Sequence, residues 1–185
     1  MRPIIIIGAG MAGYTAAREL RKLDKTVPLT IVTSDDGGYY SKPMLSNAFA
    51  QNKLPAQLVT QSAVQLATQL DATILTGTRV ERIDVEGRKL LTDKGELEYD
   101  KLVFAVGAQP IRLPLEGDAA DQVMSVNHIE DYVRFRQQLD ATEAGRQARV
   151  TILGAGLIGC EFADDLAGGK YGHTRLAAGF GRVEL

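Results

Sequence analysis

Pro3-Ile4-Ile5-Ile6-Ile7-Gly8-Ala9-Gly10-Met11-Ala12-Gly13 opens the chain with an apolar run that ends in three spaced glycines. Four consecutive β-branched residues are the pattern of a parallel strand buried on both faces. Gly8 permits a tight turn out of that strand. Gly10, with no Cβ, lets backbone approach a pyrophosphate, and Gly13 lets the following helix sit close to the sheet. The helix N-terminus would then offer free N–H groups and partial positive charge to phosphates. Tyr14 to Lys22 supplies the helix, with Ala16, Ala17 and Leu20 on one face. Pro28-Leu29-Thr30-Ile31-Val32 reads as a second strand, ending at Thr33-Ser34-Asp35-Asp36. An acid about 20 residues beyond the glycines is placed to accept hydrogen bonds from a ribose. Asp35 fits that role best and Asp36 second.

The pattern recurs. Val150-Thr151-Ile152-Leu153 leads into Gly154-Ala155-Gly156-Leu157-Ile158-Gly159 and a further helical stretch to Leu166. One such glycine triplet is a weak signal. Two of them, each between an apolar run and a helix, argue for two dinucleotide sites in one polypeptide. A chain holding two dinucleotides most simply passes electrons between them.

Between the repeats, Gly37 to Pro43 is a turn-rich loop. Met44 to Ala50 reads as a short helix and Ser62 to Leu70 as a longer one. Ala72–Leu75 and Arg79–Val85 read as strands. Arg88–Thr92 and Glu96–Tyr99 follow across tight Gly-containing turns, which makes a meander. Lys101–Val106 is another buried strand, closed by Gly107. Asn127–Leu139 is an amphipathic helix capped by Asn127. Domain boundaries are expected near Pro110–Gly117 or in the polar stretch Ala141–Gln147. The fold class is α/β: a Rossmann-like domain with parallel sheet, helices and meander over 1–112, then the start of a second over 113–185. Beyond about Tyr171 no run of four apolar strand-formers follows and glycines interrupt the chain, so the tail is expected to be atypical.

The 185 residues are 45% hydrophobic and 24% charged, with net charge −2. That balance offers nothing to nucleic acid or an anionic membrane surface, and no apolar run approaches the roughly 20 residues that span a bilayer. A strand beginning at residue 3 leaves no room for a signal peptide, so a cytoplasmic location is expected. One cysteine, Cys160, precludes an internal disulfide and reads as a small packing residue beside Gly159. His128 and His173 are isolated, and no metal-ligand spacing or catalytic acid–base pair is present.

Four stretches together resemble a family: the N-terminal fingerprint, Tyr40-Ser41-Lys42-Pro43-Met44-Leu45-Ser46, Leu102-Val103-Phe104-Ala105-Val106-Gly107-Ala108-Gln109-Pro110, and Gly154 to Ala163. They resemble the FAD-dependent pyridine nucleotide-disulfide oxidoreductase superfamily, and within it the bacterial rubredoxin–NAD reductases of alkane oxidation. The likeness covers about residues 3–170. It implies that Gly8, Ala9, Gly10, Met11, Ala12 and Gly13 hold the FAD pyrophosphate, with Ser34 and Asp35 at the adenosine ribose. Lys42 would lie beside the FAD phosphates or flavin, Val80 would contact adenine through its backbone, and Gly107 is the family's turn glycine. Gly154, Gly156, Leu157, Ile158 and Gly159 would receive the NADH pyrophosphate, with Glu161 near flavin and nicotinamide. Where the family usually has Ala-Thr-Gly, this chain has Ala105-Val106-Gly107.

The resemblance implies electron transfer from NADH through FAD to rubredoxin or a similar small carrier protein. Ferredoxin, a flavorubredoxin or a nitrite reductase component are the other acceptors it allows, and a nucleotide-binding fragment without turnover is the other reading of the chain. The family's chains run to about twice this length. The tail is therefore expected to be that of a frameshifted or prematurely ended gene product, lacking the region that separates NADH from NADPH. Arg18, Arg21, Lys22 and Lys25 give the end of the first helix a basic surface, extended by Lys42, which reads first as a solvated helix face and second as a docking surface for an acidic carrier.

Overall fold

The computed structural model describes residues 1–141 and 148–168, and the backbone of 173–177. The chain falls into two compact units: residues 1–40 with 59–108, and residues 41–58 with 109–185. The segment 41–58 thus groups with the C-terminal half, where a linear boundary at residue 112 would leave it with the N-terminal one.

In the first unit a four-stranded parallel sheet carries β1 (Ile4–Ile7), β2 (Leu29–Val32), β3 (Thr73–Leu75) and β7 (Lys101–Phe104), in the order β3-β2-β1-β7. Strand β1 pairs Ile4 with Leu29 and Lys101, and Ile7 with Val32 and Phe104. Its four isoleucines alternate between two cores. Ile6, with Ile4 beside it, packs with Tyr14 and Ala17 of helix α1 (Met11–Leu23) and Leu66 and Leu70 of helix α3 (Ala63–Leu70). Ile5 and Ile7 pack on the opposite face with Val32, Leu90 and Tyr99. That second face is covered by an antiparallel meander of β4 (Val80–Asp84), β5 (Lys89–Thr92) and β6 (Gly95–Glu98). A strand buried on both faces needs an apolar residue at every position, which is what the unbroken isoleucine run supplies. Each such side chain contributes about 1.5–3 kcal/mol by its burial.

Local chemistry sets the helix ends. Helix α3 starts at Ser62, whose hydroxyl accepts from the Gln65 N–H while the Gln65 side chain accepts from the Ser62 N–H, a reciprocal cap. It stops at Asp71, which adopts a left-handed conformation. Helix α1 stops before Asp24, whose carboxylate accepts from the N–H groups of Thr26 and Val27 and turns the chain toward β2.

The second unit holds a 3₁₀ turn over Lys42–Ser46, the single-turn helix α2 (Pro55–Leu58), helix α4 (Ile129–Asp140), and a βαβ unit made of β8 (Arg149–Leu153), α5 (Leu157–Gly168) and β9 (His173–Ala177). Four expectations change here. The helix expected over Met44–Ala50 is the 3₁₀ turn two residues earlier, because Pro43 favours a first-turn position. Helix α4 is capped at His128 rather than Asn127: the Asp131 carboxylate reaches back to accept from both backbone N–H groups. Cys160 is exposed rather than packed. Most consequentially, the tail is not without strand: His173–Ala177 pairs in parallel with β8, His173 opposite Arg149 and Ala177 opposite Leu153. A ladder of backbone hydrogen bonds does not require apolar side chains, so apolar counting missed it. The expected linker over 142–147 and the tail residues 169–172 and 178–185 lie outside the described residues. Among the described residues, no helix is long and apolar enough to cross a membrane.

Candidate functional site

The first glycine loop lies at the C-terminal ends of the parallel strands. Gly8 donates to the Val32 carbonyl at 2.8 Å, and Ala105 donates to the Ile7 carbonyl at 2.8 Å. The next loops are stitched in the same way: Thr33 N–H to Leu75, Thr78 N–H to Thr33, and Gly77 N–H to Asp35. Loops outside the C-terminal strand ends are where open α/β sheets take ligands.

The three glycines occupy different environments. Gly8 has φ +108°, a conformation side chains rarely adopt, and a Cβ there would collide with the Ala105 carbonyl. A Cβ on Gly13 would collide with the Gly8 carbonyl. A Cβ on Gly10 would meet nothing within 4 Å. The first and third glycines are therefore demanded by the protein itself. The second is not, and the space beside its Cα is open. Gly10 caps α1 with no side-chain hydrogen bond, and the first turn holds no acid. The orphan N–H groups of that turn face a surface that an anion can approach.

Within this loop Ala9 is buried in the core, while Met11 and Ala12 are exposed. Ser34 and Asp35 are exposed beyond β2. One Asp35 oxygen, Oδ1, accepts from the Thr33 hydroxyl at 2.6 Å and from the Gly37 N–H at 2.9 Å. The carboxylate is held by that oxygen, and its second oxygen receives no hydrogen bond among the described residues. Val80 is half-buried at the start of β4, paired with Thr92, and packs on the core that Ile5 and Ile7 enter. It lies two residues beyond Thr78, which is tied to Thr33. Gly107 follows β7 with φ +71° and is exposed.

In the second unit the glycine loop repeats the first. Gly154 has φ +108°, the surroundings of a Gly156 Cβ are open, and a Cβ on Gly159 would collide with the Gly154 carbonyl. The first helical bond runs from the Cys160 N–H to the Gly156 carbonyl at 3.0 Å, as Tyr14 N–H bonds Gly10 at 3.0 Å. Leu157 and Ile158 are exposed in the first turn of α5. Glu161 is half-buried and accepts from the Ser46 hydroxyl at 2.7 Å. This contact brings together two motifs 115 residues apart: Glu161, and the stretch from Ser41 to Ser46 that carries the exposed Lys42. Asp165, one turn further along α5, is buried and accepts from the N–H groups of Phe49 and Ala50, both at 2.8 Å. From α4, Arg136 donates to the Lys53 carbonyl at 2.6 Å and to the Asn52 side chain at 2.9 Å. Segment 41–58 is thus held by α5 at Ser46–Ala50 and by α4 at Asn52–Lys53.

Asp165 and Arg136 escaped the sequence reading, although a signal for both exists. Each is a charged residue on the buried face of its helix, Asp165 beside Phe162 and Leu166, Arg136 between Tyr132 and Leu139. A charge in an apolar stripe needs partners.

The expected basic surface on α1 is not a free set of charges. The Arg21 guanidinium donates to four carbonyls: Leu70 at 2.5 Å, Val27 at 2.8 Å, Asp71 at 2.8 Å and Asp24 at 3.3 Å. Arg18 bonds the Gln61 side chain and lies 4.7 Å over the Tyr39 ring. Lys22 pairs with Glu19 at 2.6 Å. Arg21 therefore ties the C-terminus of α3 to the turn before β2. Arg21→Ala is expected to cost about 2–3 kcal/mol, as loss of charge-assisted bonds to partly buried carbonyls does. Lys22→Ala, on an exposed pair, should stay within about 0.5 kcal/mol. Urea denaturation of the two variants checks this; equal midpoints would mean that Arg21 is an ordinary surface cation.

Among known proteins the likeness is extensive. Residues 2–176 match the family described as pyridine nucleotide-disulphide oxidoreductase, so the match runs past the point near Tyr171 where the resemblance was expected to lapse. The chain is 50% identical over 171 residues to the rubredoxin-NAD(+) reductase of Acinetobacter baylyi, covering 90% of this chain and 42% of that protein. It is 44% identical over 171 residues to the rubredoxin-NAD(+) reductase of Alcanivorax borkumensis, covering 92% of this chain and 44% of that protein. The crystal structure of a ferredoxin reductase from Rhodopseudomonas palustris superposes with a TM-score of 0.80 at 27% identity, over 95% of this chain and 42% of that one. The chain thus spans well under half the length of the relatives it matches. With both glycine loops, the parallel sheet and the meander inside the matched residues, the chain belongs to the pyridine nucleotide-disulphide oxidoreductase family.

Proposed function

We propose that residues 1–112 form the FAD-binding part, and 113–185 the opening of the NAD-binding part, of an NADH-dependent flavoprotein reductase that delivers electrons to rubredoxin or a similar small carrier. The observation that carries this reading is the first glycine loop, with Gly10 open, the helix start uncapped and Asp35 held by one oxygen only. That donor set fits a pyrophosphate followed by a ribose. A bound FAD would supply acceptance of a hydride from NADH and passage of its two electrons, one at a time, to an iron centre, with the proton released to solvent.

The chain's own residues bind and orient. The backbone from Gly8 to Gly13 holds the FAD pyrophosphate, Ser34 and Asp35 the ribose, and the Val80 backbone the adenine, with Gly107 keeping the adjoining turn open. In the second unit Gly154, Gly156, Leu157, Ile158 and Gly159 receive the NADH pyrophosphate. In the second unit Lys42 and Glu161 are the cofactor-binding side chains that the family likeness supports, and the Ser46 hydroxyl holds the Glu161 carboxylate. Rubredoxin as acceptor is supported by the relatives' names, and alkane hydroxylation as the setting by the sequence likeness. A ferredoxin acceptor is the second reading, favoured by the similarity to the Rhodopseudomonas palustris ferredoxin reductase.

The test is the visible absorption spectrum of the purified chain after incubation with FAD and removal of the excess, then after anaerobic NADH. A retained flavin spectrum that bleaches is the expected result. A flavin spectrum that persists under NADH supports a nucleotide-binding fragment without turnover. A colourless chain overturns the proposal. Where bleaching occurs, parallel reduction of rubredoxin and ferredoxin separates the acceptors.

A further inference from the structure

The residue following each glycine triplet differs between the two loops. Cys160 on α5 is exposed. Tyr14 on α1 is fully buried, and its ring meets Tyr39 edge-on at 5.8 Å. Its hydroxyl donates to the Gly37 carbonyl at 2.5 Å. Gly37 is itself buried, with φ +70°, and its N–H donates to the same Asp35 oxygen that the Thr33 hydroxyl reaches. A single residue, Gly37, is therefore held by the helix of the first glycine loop through its carbonyl and holds Asp35 through its N–H. Burial, and after it the charges of Asp35 and Asp36, push the Tyr14 hydroxyl up to about 12, so the phenol stays a neutral donor at any physiological pH.

We propose that Tyr14 is a positioning residue that, through Gly37, fixes the orientation in which the Asp35 carboxylate meets the ribose hydroxyls of a dinucleotide on the first glycine loop. The inference rests on reading that loop as an adenine-dinucleotide site. Asp35 is exposed on a turn, and a carboxylate that must be ordered on binding loses affinity to the entropy of that ordering. A buried phenol anchored in the apolar core with Ala17, Leu66 and Leu70 transmits the rigidity of α1 to the turn. The second loop has no such side chain.

Tyr14→Phe keeps the ring and its packing and removes only the donor. The test measures binding of ADP and of 2′,3′-dideoxy-ADP to the whole chain by titration calorimetry, for the wild type, Y14F, D35N and Y14F/D35N. The wild type should prefer ADP. Y14F should lose about five- to tenfold in ADP affinity, the worth of one hydrogen bond, with no change for the dideoxy ligand, and the double variant should match D35N. A Y14F chain that keeps the wild-type preference, that loses affinity for both ligands alike, or that does not fold overturns the proposal, since Tyr14 would then be idle or merely structural. Failure of the underlying reading shows separately and in the wild type, as no ADP binding or no preference for the ribose hydroxyls.

Discussion

Gly10→Val is expected to leave the fold intact and to abolish dinucleotide binding, while Gly13→Ala disrupts the first unit. Both substitutions add carbon to one loop, and the surroundings decide opposite outcomes. Gly10 sits at φ −78° and ψ −172°, a backbone that any residue adopts, and its Cβ would enter open space. The cost to folding is that of a poorer helix cap, about 1 kcal/mol. On the proposed reading, the same space is where a pyrophosphate would come close enough to take the helix N–H groups. Losing two charge-assisted hydrogen bonds at about 1.5–3 kcal/mol each lowers affinity by about two to four powers of ten. At Gly13 the added carbon meets the Gly8 carbonyl, backbone that cannot swing aside as a side chain could. Helix α1 would have to lift from the sheet that Tyr14 and Ala17 pack against, at a cost of about 3 kcal/mol or more, a large part of the stability of a typical domain. Thermal unfolding and FAD titration of both variants check the pair. A Gly10→Val chain that binds FAD like the wild type would remove the first loop from any part in cofactor binding.

Asp165→Ala is the second large effect, and it falls on the second unit. The carboxylate is buried and is shared by two backbone donors, Phe49 and Ala50. Removing it takes away the acceptor of both N–H groups together. The buried Phe49 N–H left without this acceptor costs about 1–3 kcal/mol, and the part-buried Ala50 N–H, which water can reach, adds about 0.5–1.5 kcal/mol, so the loss is about 1.5–4.5 kcal/mol. Asp165→Asn keeps one accepting oxygen and points an NH₂ at the other donor, so it should recover less than half of the loss. The same variants should raise amide exchange at Phe49 and Ala50 before any global unfolding, because the clip closes a local segment. Denaturation of Asp165→Ala within about 1 kcal/mol of the wild type, with unchanged exchange, would show that packing of the Phe49 ring against Tyr132 and Phe135 suffices to hold the segment.

Much of the first unit was legible because its signals are local or periodic. The isoleucine run, the spaced glycines and the helix read over Ser62 to Leu70 each depend on residues close to one another in the chain. The meander was legible for the same reason, since Glu86-Gly87 and Lys94-Gly95 mark its turns. That it covers the second face of the parallel sheet was not, because nothing in β5 names the strand that Leu90 will pack on. The second unit shows the limit more sharply. His173–Ala177 carries few apolar residues, and its strand character comes from the hydrogen-bonding edge that β8 offers. Cys160 was expected inside beside Gly159, but the close approach there is between backbone atoms of Gly159 and Gly154, which leaves the neighbouring side chain outside.

The candidate site divides along the same line. The identity of the glycines and the Asp35 position follow from the chain alone, because backbone conformation and the strand–turn–helix order are properties of contiguous residues. Partners far apart in sequence were decided by folding. Arg21 looked like part of a charged surface and became a clamp on four carbonyls, because the end of α3 happens to close beside it. Tyr14 looked like one more helical residue and became the link to the Asp35 turn. Asp165 and Ser46 carry no local mark of the 116 and 115 residues they bridge. From the chain alone came most elements of the first unit and the two glycine loops whose middle positions stay open, since glycine's missing Cβ is a local fact. Which polar groups hold one another came from packing, since a buried donor or charge is satisfied by whichever acceptor the folded chain brings within about 3 Å.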